Sequence, residues 1–153
     1  MKFTLGEKLL LVGGSIAALA AVWHLLCILG GPSWFAFARA PQDIIDSSIQ
    51  GTLLAPIGTI VVAGLMFSCT FYAYSGAGII RKVALLKPAL MTIALLCLLR
   101  GLIAIPSFFL LEHLDKWQLI ASSTWLFVGV CFLAGSIEQF RNKDLLLKIK
   151  NKK

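Results

Sequence analysis

Residues 9–29 read LLLVGGSIAALAAVWHLLCIL, an apolar run that contains no Asp, Glu, Lys or Arg. An α-helix rises about 1.5 Å per residue, so a run of this length crosses a hydrocarbon core of about 30 Å. Three more apolar runs follow at 52–74, 88–110 and 117–137, and Arg100 is the one charged residue among them. No run alternates apolar and polar residues as a barrel strand does. The sequence therefore predicts an all-α polytopic membrane protein, a bundle of four transmembrane helices.

The composition of the chain supports this class. Of 153 residues, 59% are hydrophobic and 14% are charged, whereas soluble domains carry about 25% charged residues. A soluble chain of this size could not bury so much apolar surface, because small domains have too much surface for their volume. We expect one integral membrane domain over residues 1–153. The composition excludes an ordinary soluble enzyme, a disordered protein and a collagen-like protein.

The basic residues predict the orientation of the helices. The loops at 30–51 and 111–117 contain only Arg39 and Lys116 as basic residues, whereas the opposite side carries eleven. Cytoplasmic loops hold the excess of Lys and Arg, so both termini are predicted to be cytoplasmic. The net charge of +7 is then a signal of topology, and no nucleic-acid partner is expected. The eleven residues are Lys2, Lys8, Arg81, Lys82, Lys87, Arg141, Lys143, Lys148, Lys150, Lys152 and Lys153.

Both ends of the chain allow an alternative interpretation. The basic tail at 138–153 is predicted to be solvated, or else to lie as a helix on the anionic inner leaflet. The sequence Ala18-Leu19-Ala20 has the small-x-small shape of a signal-peptide cleavage site. Because the apolar run continues to Leu29, we expect the first helix to be retained. Cleavage would leave three helices, each with the same orientation.

Two polar residues inside the apolar runs are candidates for a ligand site. An arginine at membrane depth costs roughly 2.5–3.5 kcal/mol and usually faces the bundle interior. By residue count, Arg100 and His24 both fall near the outer end of their helices, so they could form one polar patch. The alternatives are that Arg100 snorkels or pairs with Asp43, Asp46 or Glu112, and that the ring of His24 bonds a neighbouring carbonyl or hydroxyl.

The loop after the first helix is the most distinctive segment. Gly30-Gly31-Pro32 should end the helix, and residues 43–50 could form a short helix. The aromatic residues between them suit an interfacial stretch, either as a lid over a lipid-facing pocket or as a simple anchor. Trp34 and Arg39 are therefore added to His24 and Arg100 as candidate ligand-binding residues.

Small residues define the predicted packing faces of the helices. Membrane helices associate through small residues that let backbones approach closely. Such stripes are compatible with packing inside one chain or with a homodimer. They are Gly14, Ser15, Ala18 and Ala21 in the first run, Ala55, Thr59 and Ala63 in the second, and Ser122, Gly129 and Gly135 in the fourth.

The sequence carries no motif for catalysis or metal binding. No Asp or Glu lies inside any apolar run, which counts against proton-coupled transport. Haem ligation would need His24 and His113, the two histidines of the chain, and no haem motif supports it. The four cysteines, one in each run, form no ligand cluster. We expect no catalytic residues, no metal and no cofactor.

A series of short motifs runs through the first two thirds of the chain. They are His24, Gly31-Pro32, Trp34, Ala40-Pro41, Gly51, Ala55-Pro56, Tyr72-Ala73-Tyr74-Ser75-Gly76-Ala77-Gly78, Leu99-Arg100-Gly101 and Pro106. In this order they resemble a group of small bacterial inner-membrane proteins with four predicted helices and no established activity. The resemblance implies a helical fold and a bacterial inner-membrane location, but no reaction. That group is expected to have glycine where this chain has Arg39.

These features favour a non-enzymatic membrane module. It would bind a lipid, a quinone-like or other hydrophobic small molecule, or a membrane-protein partner, with its polar site in the outer leaflet. A small transporter, acting as a dimer and moving a solute, is the first alternative. A membrane redox subunit is the second.

Overall fold

The architecture is entirely helical in the part of the chain that the structure describes. A computed structural model describes residues 3–102 and 116–150, with side chains up to Arg141. The predicted all-α class is confirmed for these residues. The helices are α1 (Leu5–Gly30), α2 (Pro32–Phe37), α3 (Gln42–Gln50), α4 (Leu54–Gly76), α5 (Leu86–Leu102) and α6 (Lys116–Lys150).

Three of the described helices are long and apolar enough to cross a membrane, not the predicted four. They are Leu5–Gly30, Leu54–Gly76 and the Lys116–Arg141 part of α6. Helix α5 has 17 residues, which extend roughly 25 Å and fall short of a core of about 30 Å. The remainder of the predicted span at 88–110 lies outside the described residues. The membrane class is thus supported, and the fourth span is not.

The helix ends follow from local sequence. At the start of α1, the Thr4 hydroxyl accepts the Glu7 N–H, and the Glu7 carboxylate accepts the Thr4 N–H at 2.8 Å. This capping box satisfies two backbone donors that the first turn leaves without partners. Helix α1 ends at Gly30, as predicted, because Gly31 has φ 68° and Pro32 opens α2. The predicted short helix at 43–50 is present as α3.

The described residues fall into two compact units. One comprises those within Met1–Ser15 and Cys69–Lys153, and the other comprises Ile16–Ser68. We call them the long unit and the corner unit. In the long unit, α1, α4, α5 and α6 meet around Leu10 and Leu90, which are fully buried. A Cβ added to Gly76 would lie 2.9 Å from Leu10 and 3.1 Å from Leu90. The glycine therefore allows three helices to converge at this level.

The predicted packing faces of the second and fourth apolar runs are confirmed. Ala55, Thr59 and Ala63 of α4 are buried, as are Ser122, Gly129 and Gly135 of α6. In α1, Ala21 is buried as predicted, but the other buried alanine is Ala17 and not the predicted Ala18. Gly14 packs against Ala73, and the Ser15 hydroxyl lies 3.0 Å from the Tyr74 hydroxyl. Long aliphatic side chains remain exposed on the same helices, as lipid contact requires.

The loop between α4 and α5 ends on a strained leucine. Leu85 has φ 55°, a left-handed conformation that costs an L-residue roughly 1–2 kcal/mol. Its carbonyl accepts the Ala89 N–H at 2.9 Å, so this conformation begins α5.

We expect Leu85→Gly to be more stable than Leu85→Ala by about 1 kcal/mol, because both remove the side chain and only glycine relieves the backbone. Unfolding in mixed detergent micelles, followed by circular dichroism, measures the difference. An alanine variant as stable as the glycine variant would contradict the strain.

Candidate functional site

The corner unit presents three aromatic rings around the junction of α1 and α2. Gly31 separates the two helices with φ 68° and ψ −155°, a backbone conformation that is essentially restricted to glycine. The sharp turn brings α2 back toward the end of α1. As a result Trp23, eleven positions before Trp34 in the sequence, stacks on it with ring centroids 5.5 Å apart. Phe37 meets Trp23 edge-on at 6.1 Å.

These rings line an open cavity of about 350 Å³. Its lining consists of Trp23, Trp34, Phe37 and Ser33, so a single hydroxyl interrupts an aromatic surface. The volume falls in the range of small-molecule sites, which are mostly apolar with a few polar groups. The arrangement can hold a flat ring or a hydrocarbon chain against the indoles. We call this space, together with the four residues that line it, the aromatic cavity.

The indole of Trp34 lies directly over the backbone of Gly30. A Cβ at Gly30 would overlap the indole ring. Glycine at this position is therefore a condition for the ring to stack on Trp23. It also explains why two successive glycines stand at the end of α1, one for close approach and one for the turn.

A small hydrophobic core supports the residues that line the aromatic cavity. Cys27, Phe35 and Ala55 are buried together, and Ile44 and Ile45 of α3 pack on them. Helices α1, α2, α3 and α4 thus share one core within this unit.

The corner between α3 and α4 is fixed by a buried serine. The hydroxyl of Ser47 accepts the Ala55 N–H at 2.8 Å and lies 2.6 Å from the Thr52 hydroxyl. The bond from the Ala55 N–H caps α4, since the first N–H groups of a helix have no partner within it. The support of the aromatic cavity is therefore both apolar and hydrogen-bonded.

His24 follows Trp23 on α1 and is half-buried. Its Nδ1 lies 2.7 Å from the carbonyl oxygen of Ala20. A carbonyl only accepts, so this bond requires a proton on Nδ1, and a neutral ring then carries its lone pair on Nε2. The bond is the structural alternative that the sequence left open for His24.

Arg100 belongs to the long unit and joins α5 to α6. Its Nη1 donates to the hydroxyl of Ser122 at 3.3 Å, and that serine is 3% exposed. A partner on the neighbouring helix stabilises a cation in an apolar environment. Glu112, one of the expected ion-pair partners, lies outside the described residues. A site shared by Arg100 and His24 stays a prediction.

Arg39 is exposed at the end of α2 with φ 55°. The neighbouring Ala40 N–H donates to the Phe35 carbonyl at 3.0 Å, which closes the helix. This left-handed conformation favours glycine, the residue expected here in the group that the sequence resembles. Arg39 therefore occupies a strained position two residues beyond Phe37 of the aromatic cavity.

Sequence reasoning identified Trp34 but missed Trp23, Phe37 and Ser33 as its companions. The available signal was two tryptophans on opposite sides of a Gly-Gly-Pro turn. Among the described residues, no group of three or more His, Cys, Asp or Glu could hold a metal ion, and the four cysteines are free.

The comparisons with known proteins found no match to this chain. No protein-family model, curated protein or solved structure matches it. The resemblance to the group of small inner-membrane proteins stays a prediction.

Proposed function

We propose that this chain is a non-enzymatic membrane module that binds an amphipathic, lipid-like ligand in the aromatic cavity. The observation that carries the proposal is the stacked pair Trp23 and Trp34 lining an open space of about 350 Å³. Aromatic faces bind apolar rings and chains through large contact areas. The ligand would lay its apolar part on the two indoles and turn its head toward the Ser33 hydroxyl. That hydroxyl donates to the Gly30 carbonyl at 3.4 Å, and it would exchange this bond for one to the head group.

An anionic head group suits the residues near the cavity. Arg39 stands two residues beyond Phe37 and supplies a permanent positive charge, while Asp43 and Asp46 of α3 add two negative charges to the same unit. A guanidinium can bind a carboxylate or phosphate through two parallel hydrogen bonds. A fatty acid or an acidic lipid is therefore the proposed ligand class, with Arg39 as its polar anchor.

The proposed setting is a bacterial inner membrane with both termini cytoplasmic and four crossings. Contacts within the long unit support an even number of crossings. The start of α1 packs on the late part of α6, because a Cβ at Gly6 would lie 2.9 Å from the Gly135 carbonyl. This contact supports the proposal that the two segments lie on the same side of the membrane and that a fourth crossing follows α4. The excess of basic residues at this end supports a cytoplasmic location.

Binding can be tested with a fatty acid brominated on its chain, which quenches the fluorescence of nearby tryptophans. The full chain in detergent should show saturable quenching. We expect Trp34→Ala to weaken the apparent affinity about tenfold, which corresponds to about 1.4 kcal/mol of lost ring contact.

Trp125→Ala is the matched control, since Trp125 belongs to α6 in the long unit and its removal should leave the affinity unchanged. Quenching that never saturates in the unaltered protein would overturn the proposal. Equal affinities for Trp34→Ala and the unaltered protein would also overturn it.

A further inference from the structure

One end of the long unit concentrates positive charge. The Lys87 ammonium lies 5.4 Å from the centre of the Phe140 ring, so the start of α5 adjoins the late part of α6. The start of α1 packs on the same part of α6, through Gly6 and Gly135. At this end of the long unit, all basic residues whose side chains the structure describes are exposed, whereas Glu7 and Glu138 are half-buried. These basic residues are Lys8, Arg81, Lys82, Lys87 and Arg141.

The loop between α4 and α5, residues 77–85, combines this charge with exposed aliphatic side chains. Arg81 and Lys82 are exposed at its centre, and the loop contains no acidic residue. Ile79 and Leu85 lie on either side of the pair, 49% and 75% exposed. Basic residues attract anionic head groups, and apolar residues beside them enter the acyl boundary. The loop therefore has both components of a surface for acidic lipid.

The loop backbone is held in place from inside the unit. The hydroxyl of Ser75, which is fully buried, donates to the Arg81 carbonyl at 3.0 Å and accepts the Val83 N–H at 3.1 Å. At the loop's start, the Ile79 N–H donates to the Tyr74 carbonyl at 3.0 Å. A segment that is already ordered loses less entropy when it binds. Arg81 and Lys82 are thus presented on a fixed backbone.

We propose that the loop 77–85 is a binding site for anionic phospholipid, in which Arg81 and Lys82 hold the head-group phosphate and Ile79 and Leu85 contact the acyl chains. The site is independent of the aromatic cavity, because it belongs to the other unit and uses none of the cavity residues. Strong positive charge without an acidic residue in the loop favours an acidic lipid over a zwitterionic one.

Native mass spectrometry of the full chain tests the site. The protein is extracted from an equimolar mixture of phosphatidylglycerol and phosphatidylcholine, and the retained lipids are counted. The unaltered protein should retain phosphatidylglycerol preferentially. The double variant Arg81→Gln with Lys82→Gln should lower that preference at least about fivefold, the effect of one basic side chain near an anionic surface.

The control removes the same charge from the same end of the unit but leaves the loop intact. Lys8→Gln combined with Arg141→Gln should keep most of the preference, because neither residue is in the loop. The proposal is overturned if this control loses as much preference as the loop variant, since net charge would then explain the effect. Retention of both lipids in equal amounts by the unaltered protein would also overturn it.

Discussion

Replacing Gly129 with valine should destabilise the fold by about 3 kcal/mol or more. A Cβ at this position would lie 2.8 Å from the backbone nitrogen of Leu98 and 2.8 Å from its Cγ. A backbone atom cannot rotate away, so the added side chain must push α5 and α6 apart, and overpacking of this kind costs typically 1–3 kcal/mol or more. The separation would also strain the nearby contact of Gly101 with Leu126. Unfolding in mixed detergent micelles, followed by circular dichroism, measures the loss.

Gly64→Val is the matched control for this experiment. Gly64 lies inside α4, another candidate span, and nothing lies within 4 Å of the Cβ that would be added there. The control therefore changes the intrinsic helix propensity in the same way without creating a clash. Equal stability of the two variants would show that the contact between α5 and α6 does not depend on the glycine.

The positions of the spans could be predicted because membrane helices have a simple sequence signature. The uncharged runs at 9–29 and 117–137 fall within α1 and α6, and the run at 52–74 overlaps α4, which begins and ends two residues later. Small residues on α4 and α6 indicated the buried faces, since only small side chains allow close backbone approach. The third run was harder, because apolar composition does not reveal where a helix ends. Helix α5 is described only to Leu102.

The candidate site could not be predicted in full, because it depends on a backbone geometry that the amino-acid composition does not reveal. Trp23 and Trp34 become neighbours only because Gly31 takes a positive φ and turns the chain back on itself. A pattern of residues gives no distance between rings on two different helices. Likewise, the residue types of Arg39 and Leu85 do not themselves predict left-handed backbones. Arg100 and His24 were easier to identify, since an arginine or a histidine in an apolar run is conspicuous. Their hydrogen-bond partners, Ser122 for Arg100 and the Ala20 carbonyl for His24, could not be predicted.

Gly30→Ala should remove the aromatic cavity while leaving the spans intact. The added methyl group would overlap the indole of Trp34, so the ring must leave its place over the backbone. Its stacking on Trp23, at 5.5 Å between centroids, would then be lost. We expect a stability loss of about 1–3 kcal/mol from this overpacking. Affinity for the brominated fatty acid should fall as far as in Trp34→Ala, because both changes remove the same ring from the cavity.

A double-mutant cycle separates this clash from a general weakening of the α1 end. In the Trp34→Ala background the indole is absent, so Gly30→Ala should have almost no further effect on stability or binding. Gly58→Ala serves as a control in the same unit, since its nearest neighbour would be the Ile44 Cδ1 at an ordinary 3.7 Å. Additive losses in the double variant would mean that Gly30 acts independently of Trp34. In that case the cavity would not depend on the close approach of the Gly30 backbone to the Trp34 indole.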